Sequence, residues 1–373
     1  MDLEGHINII WPQLHAMAEP AFKEARTASF LAGFLRKLGY NVQEGVGGTT
    51  AVVATLASGK PGPVVALRTD MDCLLFKQAD GSECPIHACG HDGHMTIALG
   101  VAQLLVEQGL PCGSVKILCQ PAEEIGQGAL ALLKAGALDD VDYALGYHLM
   151  PKDMARSGQI IAQINWTACT LMEGEIRGLA AHGSQPHLGV NAIDVGAAIV
   201  AGINALHTNP LLGGSVKTPR FIGGAGSLNA ICDKVQIGFD LRSTSNREML
   251  ALRQRVSDVV VNTAKVYGAE AQCHIVGTCP AAEADPSLLA LTCETIVDEL
   301  GSEGLIPSAS ITVGEDFNFF KEQRPKLKTA SLGIGCDLLP RLHDPEMHFD
   351  HAALAPAIKV LTTLTQKLLQ KKP

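Results

Sequence analysis

Two different spacings of apolar residues alternate along the chain and predict buried strands that are separated by helices. A continuous apolar run at 64–67 is typical of a strand buried on both faces, and the segments at 115–120 and 143–147 also resemble strands. Apolar residues that recur every three to four positions predict the main helices, at 22–38, 95–105, 129–135, 286–300 and 351–370. The alternation predicts an α/β fold with a mostly parallel sheet that is flanked by helices.

The middle of the chain has a different pattern. Three segments resemble long strands and two resemble helices, in the ranges 167–178, 191–207, 215–222, 233–243 and 247–267. A few strands accompanied by two helices predict a smaller α+β domain inserted into the larger one. We therefore expect a catalytic domain built from 1–166 and 280–373, with the inserted domain at 167–279.

Composition excludes several classes of protein. The chain has 373 residues, of which 47% are hydrophobic and 18% charged, an ordinary globular composition. The formal net charge of −9 argues against nucleic acid as a partner. No apolar run is long enough to predict a membrane span, and the first residues do not resemble a secretory signal. Eleven cysteines then indicate a reducing cytoplasm, in which most of them, Cys169 included, act as small buried apolar residues.

Residues 87–94, with the sequence HACGHDGH, contain three histidines, one cysteine and one aspartate. Thiolate, imidazole and carboxylate groups are ligands of borderline-soft divalent metals. A polar loop with an incidental cysteine is the alternative, but this density of ligand types favours a metal site. No second Cys/His pair follows at the spacing of a zinc finger, so further ligands must come from elsewhere in the chain.

Acidic residues and a histidine follow three separate predicted strands. Asp70 and Asp72 come after the first strand, Glu123 and Glu124 after the second, and His148 after the third. Ligands of parallel α/β sheets bind outside the carboxyl ends of the strands. We therefore expect these side chains to converge with the histidine-rich segment at one edge of the sheet.

The expected metal ligands are Cys89, His91, Glu124, His148 and His343. Five protein ligands are too many for one tetrahedral zinc and suit two metal ions about 3.5–4 Å apart, bridged by water. Glu123 is the expected general base, because a carboxylate beside metal-bound water can take its proton. The alternative for Glu123 and Glu124 is a solvated acidic pair at the start of a helix.

The remaining polar residues of this region have supporting roles in the prediction. Asp72 is expected to orient one histidine ligand, and an acid that makes a turn at a strand end is its alternative. Asp92 and His94 are expected to support the ligands or to cap a helix. His87 is left outside the site.

Taken together, these residues resemble the dinuclear metal-dependent aminoacylase–carboxypeptidase family of exopeptidases and amidohydrolases. Within it, the branch with hippurate hydrolase and the auxin–amino-acid conjugate hydrolases is the most similar. The matching segments span nearly the whole chain: LRTDMDCL (67–74), HACGHDGH (87–94), QPAEE (120–124), GYHL (146–149), AAHGSQPHLGVNAI (180–193), SLNAICDKVQIGFDLRS (227–243), GEDF (314–317) and LHDPEMHFDHAAL (342–354). The chain departs from the family pattern at Ala18, Leu75, Cys232 and Gly314, none of which is an expected ligand or the base.

The resemblance implies hydrolysis of the amide bond of an N-acyl amino acid or a small peptide-like substrate. It implies two divalent metal ions per subunit, commonly zinc or manganese and sometimes cobalt or nickel. The five ligands, the base Glu123 and the orienting acid Asp72 match the corresponding family positions.

The inserted domain matches the lid of the family, which also forms a homodimer contact. His182 matches a histidine that reaches into the active site of the partner subunit, where it stabilises the oxyanion. Asn229 and Arg242 match lid residues near the carboxylate end of the substrate, where an arginine can bind a carboxylate with two hydrogen bonds.

Two other interpretations remain open from the sequence. One is a catalytically inactive relative that binds a small carboxylate or a metal. The other is a cysteine hydrolase that uses Cys89 and His91, although two residues so close in one loop rarely form a nucleophile–base pair.

Overall fold

The computed structural model describes residues 1–209 and 212–371. The four remaining positions lie outside the described residues: 210 and 211 in the expected inserted domain, and 372 and 373 at the end of the expected catalytic domain. The chain forms two compact units. The first comprises Met1–Asn165, Glu283–Ser310 and Asp316–Pro373, and the second comprises Trp166–Ala282 and Ile311–Glu315.

The described residues form α-helices and strands along the whole chain. In chain order the helices are α1 (Leu3–His15), α2 (Ala25–Lys37), α3 (His91–Gln108), α4 (Gly128–Lys134), α5 (Ala192–Asn204), α6 (Asn246–Val266), α7 (Pro286–Leu300), α8 (Phe319–Gln323) and α9 (Leu354–Leu369). The strands are β1 (Asn41–Val46), β2 (Ala51–Ala57), β3 (Val64–Asp70), β4 (Leu74–Lys77), β5 (Glu83–Ile86), β6 (Ser114–Gln120), β7 (Tyr143–Pro151), β8 (Ile160–Ile161), β9 (Ile164–Trp166), β10 (Ala168–Arg177), β11 (Gly214–Gly223), β12 (Lys234–Ser243), β13 (Glu270–Cys279), β14 (Leu305–Ile306), β15 (Ala309–Ile311) and β16 (Lys328–Leu338). No helix in the described ranges is both long and apolar enough to span a membrane.

The first unit contains an eight-stranded sheet in the order β1-β2-β6-β3-β7-β16-β8-β14. Its four adjacent strands β6, β3, β7 and β16 are parallel, whereas β1 and β2 extend it with antiparallel pairing. Strands β3 and β7 are buried along almost their whole length, which explains their continuous apolar sequences. The predicted mostly parallel sheet flanked by helices is confirmed.

Strand β7 is longer than the sequence pattern predicts, and this changes the position of His148. Its pairing with β16 continues past residue 147, with His148 opposite Gly333. His148 therefore lies inside β7, and the prediction that it follows the strand is wrong. Asp70 is likewise the last residue of β3 rather than a residue of the following loop. The apolar run covers only part of each strand. The strands continue through Asp70 and His148, whose side chains are polar but still buried.

Helix α2 begins later and is buried on a different face than the spacing of its aromatic residues predicts. Phe22 has a left-handed φ of 59°, precedes the helix and is exposed. The buried face is formed by Ala28, Leu31, Ala32 and Leu35. The larger aromatic residues lie at the margin of this face because the smaller residues permit closer packing against the sheet.

The second unit contains a four-stranded sheet in the order β11-β12-β10-β13, antiparallel throughout. One face of this sheet packs against α5 and α6 in a separate hydrophobic core. Val195 and Ile199 of α5, Val256 of α6 and Phe239 of β12 are among its buried members. The predicted α+β architecture is confirmed, and β13 is an additional edge strand that the residue pattern does not predict.

Candidate metal centre

The five expected metal ligands come together in the first unit, near the carboxyl ends of β3 and β6. Donor atoms of Cys89, His91 and His148 lie within 4.8 Å of one another. The same holds for donor atoms of Cys89, Glu124 and His343. Because Cys89 belongs to both groups, the five side chains form one continuous set of metal-binding donors.

Two glycines bring the first two ligands to this point. Gly90 has a φ of 84° and stands between Cys89 and the first residue of α3, His91. A Cβ atom at Gly90 would lie 2.9 Å from a methyl group of Leu149, and one at Gly93 would lie 2.8 Å from the same group. Glycine at both positions therefore permits the left-handed turn and the close approach of α3 to β7.

Backbone carbonyl groups fix the orientation of two histidine rings. His91 Nδ1 donates to the backbone oxygen of Asp72 at 2.9 Å, and His148 Nδ1 donates to the backbone oxygen of Leu149 at 2.7 Å. In a neutral imidazole with its proton on Nδ1, Nε2 carries a free lone pair. The Nε2 atom of His148 lies 3.4 Å from Cys89 Sγ. In metal-bound histidines, the ring nitrogen that does not bind the metal typically donates a hydrogen bond, as Nδ1 does in His91 and His148.

Glu124 links the two donor groups. Its Oε1 atom is 3.8 Å from His91 Nε2, and its Oε2 atom is 3.4 Å from His343 Nε2. His343 lies in the loop after β16, where it has a left-handed φ of 61°. Its N–H donates to the backbone oxygen of Ala88 at 2.7 Å, which fixes this distant loop beside Cys89.

Buried polar atoms at the centre test whether these residues fit a metal. Within the described part of the chain, His91 Nε2, Glu124 Oε1 and Asp72 Oδ1 are buried and have no hydrogen-bond partner. Leaving a polar atom buried and unpaired costs about 1–3 kcal/mol, and more for a charged group. A divalent cation satisfies such atoms, and thiolate, imidazole and carboxylate are suitable donors for it. The residues therefore fit a divalent metal centre.

The electrostatics of the centre also favour a cation. Burial, followed by the charge of Glu124, raises the pKa of the Cys89 thiol well above its usual value. Burial raises the pKa of Glu124 to about 7. A metal ion deprotonates such a buried thiol, whereas without a cation the thiol is protonated and a poor nucleophile. These shifts disfavour the cysteine hydrolase interpretation.

Asp72 and Glu123 both lie beside the expected ligands. Asp72 Oδ2 accepts the N–H of Glu124 at 3.0 Å, while Asp72 Oδ1 is 3.4 Å from His91 Nδ1. Its backbone oxygen accepts the hydrogen bond from His91, so this aspartate contacts an expected ligand histidine and also fixes the loop that carries Glu124. A carboxylate oxygen of Glu123 lies within 4.8 Å of the donor atoms of His91 and Glu124, and its side chain is partly exposed.

His94 has a supporting position. Its Nδ1 donates to Asp70 Oδ1 at 2.7 Å, and its Nε2 accepts the N–H of Leu149 at 2.9 Å. Both ring nitrogens are therefore engaged by the protein, although the ring lies beside Asp70 and His91. Its contacts join the end of β3 to β7 behind the ligands.

Asp92 and His87 also lie outside the ligand set. Asp92 Oδ2 is bound by His15 Nδ1 at 2.7 Å, and its Oδ1 accepts the N–H of Gly93. His87 is buried, and neither ring nitrogen has a hydrogen-bond partner among the described residues. Burial lowers the pKa of His87 to about 4, so that its ring is neutral at physiological pH.

A buried network behind the centre was not predicted from the sequence. Arg68 binds Asp70 at 2.6 Å and Asp316 at 2.9 Å, and Gln120 Nε2 donates to Asp316 Oδ1 at 2.7 Å. All four side chains are almost fully buried. One feature of the sequence indicates such a network: Arg68 directly follows the apolar run of β3. A charged side chain that is buried there requires a partner of opposite charge.

The second unit contains the three other expected site residues. His182 Nδ1 accepts the N–H of Ser184 at 3.2 Å, which leaves the proton of a neutral ring on Nε2. The N–H of Gly183 donates to the backbone oxygen of Asn229 at 2.7 Å, so this unit holds the His182 and Asn229 segments side by side. The guanidinium of Arg242 binds Asp240 through two hydrogen bonds, at 2.7 and 3.1 Å.

Comparison with known proteins identifies a family. The sequence pattern of Peptidase family M20/M25/M40 matches residues 66–367. A probable hydrolase of Synechocystis sp. is 31% identical over 364 residues, which are 94% of this chain and 92% of the relative. An indole-3-acetyl-aspartic acid hydrolase of Enterobacter agglomerans is 27% identical over 404 residues, and the match covers 93% of this chain and 92% of the relative.

A solved structure has the same fold. It is a dinuclear metal-binding peptidase of the M20 family from Bacillus subtilis, with a TM-score of 0.83 and 24% sequence identity over 99% of each chain. These matches confirm the family resemblance that the sequence motifs indicate.

Proposed function

Because the chain belongs to Peptidase family M20/M25/M40, we propose that it hydrolyses the amide bond of N-acyl amino acids or small peptides at a two-metal site. It is a hydrolase of amide or peptide bonds. The proposal for the site depends above all on the two donor groups that share Cys89, with the Glu123 carboxylate beside them. The ligands are Cys89, His91, Glu124, His148 and His343.

Two divalent ions bound here would polarise the carbonyl group of the substrate and lower the pKa of water. Zinc and manganese are the proposed ions, with cobalt and nickel as alternatives. The donor set suits them because it combines a thiolate and three imidazoles with a carboxylate.

Glu123 is the proposed general base. Its carboxylate takes a proton from the attacking water and returns it to the leaving amine, and the partial exposure of its side chain gives it access to both. Asp72 positions the site by accepting the N–H of Glu124 and by contacting His91.

The second unit is proposed to act as a lid and to bind the substrate. His182 donates its Nε2 proton to the oxyanion in the active site of the partner protomer, and its Nδ1 contact with Ser184 holds the required tautomer. Asn229 and Arg242 bind the carboxylate of the amino-acid product. Arg242 then exchanges one of its two hydrogen bonds with Asp240 for the substrate carboxylate.

A homodimer formed by the second unit is the proposed assembly. Strand β11 is an edge strand, and its residues Phe221 and Ile222 are exposed, as is Ile193 of α5. Leu228, next to Asn229, is fully exposed. Exposed apolar side chains at a sheet edge favour pairing with a second copy. Light scattering after size-exclusion chromatography measures this state, and a monomer at micromolar concentration would contradict it.

The proposed compartment is the cytoplasm, as the cysteine content suggests. All eleven cysteines are free thiols. Proteins in oxidising compartments commonly contain disulfides, whereas reducing compartments keep thiols free.

Substitution of the base tests the catalytic proposal. Glu123→Gln should retain bound metal, because Glu123 is not a proposed ligand, and should lose about three or more orders of magnitude in kcat. Metal content is measured by mass spectrometry, and activity with hippurate, N-acetyl amino acids, dipeptides and p-aminobenzoyl-glutamate. Glu322→Gln, an exposed glutamate of the same unit, is the matched control. Wild-type protein that binds metal but cleaves none of these substrates would instead support the catalytically inactive relative.

A further inference from the structure

Two cysteines face each other in the sheet of the second unit. Cys169 on β10 and Cys279 on β13 are register partners in an antiparallel pair. Opposed residues in such pairs have Cα atoms about 4.5–5.5 Å apart, within the range that a disulfide spans. A Cβ atom built on Gly314 would lie 2.9 Å from Cys169 Sγ and 3.5 Å from Cys279 Sγ. Both sulfur atoms therefore approach the same point.

The surroundings of this pair are polar. Arg242 on β12 is the register partner of Cys169 on its other side. The hydrogen bond from Cys279, assisted by the charge of Arg242, lowers the pKa of the Cys169 thiol to about 6, although burial opposes this shift. Both cysteines are partly exposed. The prediction that Cys169 acts as a small buried apolar residue is therefore wrong, since its cross-strand neighbours, distant in sequence, set its chemistry.

Other cysteines of the chain have different environments. Burial raises the pKa of the Cys73, Cys119 and Cys336 thiols to about 12, which makes them poor nucleophiles. Cys273 is on β13 with Cys279 and is partly exposed, but its register partner on β10 is Gly174. Cys273 therefore serves as a control, because it is a partly exposed cysteine of the same strand with no cysteine opposite it on β10.

We propose that Cys169 and Cys279 form a reversible dithiol–disulfide site that is oxidised by a small hydroperoxide and reduced by a thiol. The pair belongs to the second unit and includes none of the proposed metal ligands, nor Glu123. Reducing compartments contain disulfides of this transient kind, in contrast to permanent structural ones.

The oxidation proceeds in two steps. With hydrogen peroxide as the hydroperoxide, the Cys169 thiolate attacks one oxygen, the O–O bond breaks, and the released hydroxide takes a proton and becomes water. Cys169 is now a sulfenic acid. The sulfur of Cys279 attacks the sulfur of Cys169, the S–O bond breaks, and a second water leaves with the Cys279 proton. The two thiols supply the two electrons that reduce the peroxide, and a small dithiol reverses the reaction by exchange.

The test uses the full metal-loaded protein, reduced and then freed of reductant. After exposure to hydrogen peroxide, free thiols are alkylated and the peptides are mapped by mass spectrometry. The proposal predicts a cross-linked peptide pair containing Cys169 and Cys279, which disappears after treatment with dithiothreitol. Cys273→Ser should leave this cross-link unchanged.

Removal of the resolving thiol separates the two steps. In Cys279→Ser, the sulfenic acid on Cys169 cannot be resolved, so its trapping by dimedone should rise about tenfold over the wild type. Trapping is carried out at alkaline pH, where Cys169 is ionised even in a second variant, Cys279→Ala, that lacks the hydrogen bond from Cys279. Circular dichroism verifies that each variant is folded. In the wild type, alkylation of Cys169 should follow a pH profile with a midpoint near 6.

Two results would overturn the proposal. One is that Cys169 and Cys279 remain alkylatable at peroxide concentrations that oxidise Cys273. The other is that folded Cys279→Ser and Cys279→Ala trap no more dimedone on Cys169 than the wild type does. Both readouts are independent of hydrolytic activity, so they do not depend on the proposed function.

Discussion

The carboxylate of Glu24 accepts the backbone N–H of Ala122 at 3.0 Å, one residue before the proposed base Glu123. The same Oε1 atom accepts the N–H of Phe22 at 3.0 Å, and Oε2 accepts the hydroxyl of Thr50 at 2.5 Å. Ala122 has a left-handed φ of 54°, a conformation that is unfavourable for alanine and requires such restraint. Glu24 is thus a positioning residue for the loop that carries Glu123.

Replacement of Glu24 tests this relationship. In Glu24→Ala, the N–H groups of Phe22 and Ala122 lose their acceptor, and that of Ala122 is buried. We therefore expect kcat to fall by roughly 10- to 100-fold while the metal content is retained. Glu24→Gln should restore most of the activity, because its Oε1 can accept both N–H groups and the Thr50 hydroxyl can reverse its direction. Activity, metal content and thermal unfolding are measured for each variant.

Glu19→Ala is the control for Glu24→Ala. Glu19 is also largely buried, but its side chain accepts hydrogen bonds from Arg26 and Thr27, at the start of α2. Its removal should lower the thermal unfolding temperature without a comparable loss of kcat. An equal loss of kcat in both variants would mean that Glu24 acts only by stabilising α2 and does not position the loop that carries Glu123.

Arg68 provides a second prediction, on stability. Its guanidinium is buried between Asp70 and Asp316, so Arg68→Met leaves two carboxylates without their cation. Breaking a buried ion pair in this way costs about 3–5 kcal/mol. The free energy of unfolding is measured in urea with the metal-loaded protein. Arg26→Met, which removes an exposed arginine from its contact with Glu19, should cost at most about 1 kcal/mol. Similar losses in both variants would contradict the prediction.

The pair formed by His15 and Asp92 predicts a dependence of stability on pH. The hydrogen bond with Asp92 raises the pKa of His15 above its usual 6.5, although burial opposes this shift. Protonated His15 therefore stabilises the folded state fully below pH 6.5, and this contribution disappears as the pH rises through the raised pKa.

The measurement compares thermal unfolding of the wild type and His15→Gln at pH 6 and at pH 9. The difference between the two proteins should be larger at pH 6, where His15 is charged. His187→Gln, a change of an exposed histidine, should show no such dependence. A difference that is independent of pH would mean that the ring of His15 contributes by packing, for example against Trp11, rather than by charge.

Mixing two inactive variants tests the proposed contribution of His182 to the partner's site. His182→Ala and Glu123→Gln each remove one essential group, but a mixed dimer contains one site with both groups intact. Random exchange yields mixed dimers in half of the population, so activity should recover to roughly a quarter of that of the wild type. Exchange is verified by native mass spectrometry with differently tagged chains. Exchanged but inactive mixtures would show that His182 does not act across the interface.

The α/β architecture was predictable from sequence because its buried strands carry continuous apolar runs. Strand β3 and helix α7 both lie close to their expected ranges for this reason. Helix α1 was not predicted, since it contains Pro12 and several polar residues within a short segment. Strand β13 was also missed because it is an edge strand with many exposed side chains, and its pattern is weak.

The ligand types were predictable because cysteine, histidine and glutamate clusters follow from local sequence. The supporting contacts were not, because they join segments far apart in the chain. Glu24 and Ala122 are an example, and so are Cys169 and Cys279, whose pairing depends on the strand order of the second unit. Neither pair has a local signal. Glu24 alone resembles an ordinary acid before a helix, Ala122 contributes only its backbone N–H, and each cysteine alone resembles an ordinary strand residue.

The position of β16 in the sheet has a consequence for synthesis of the protein. This strand follows β7 only after a long stretch of chain, yet it lies between β7 and β8, and the loop after it carries His343. Until the ribosome has released these residues, the long edge of β7 stays unpaired and open to association with other nascent chains. Because the proposed centre includes His343, it can be completed only after β16 and the loop that follows it have been synthesised.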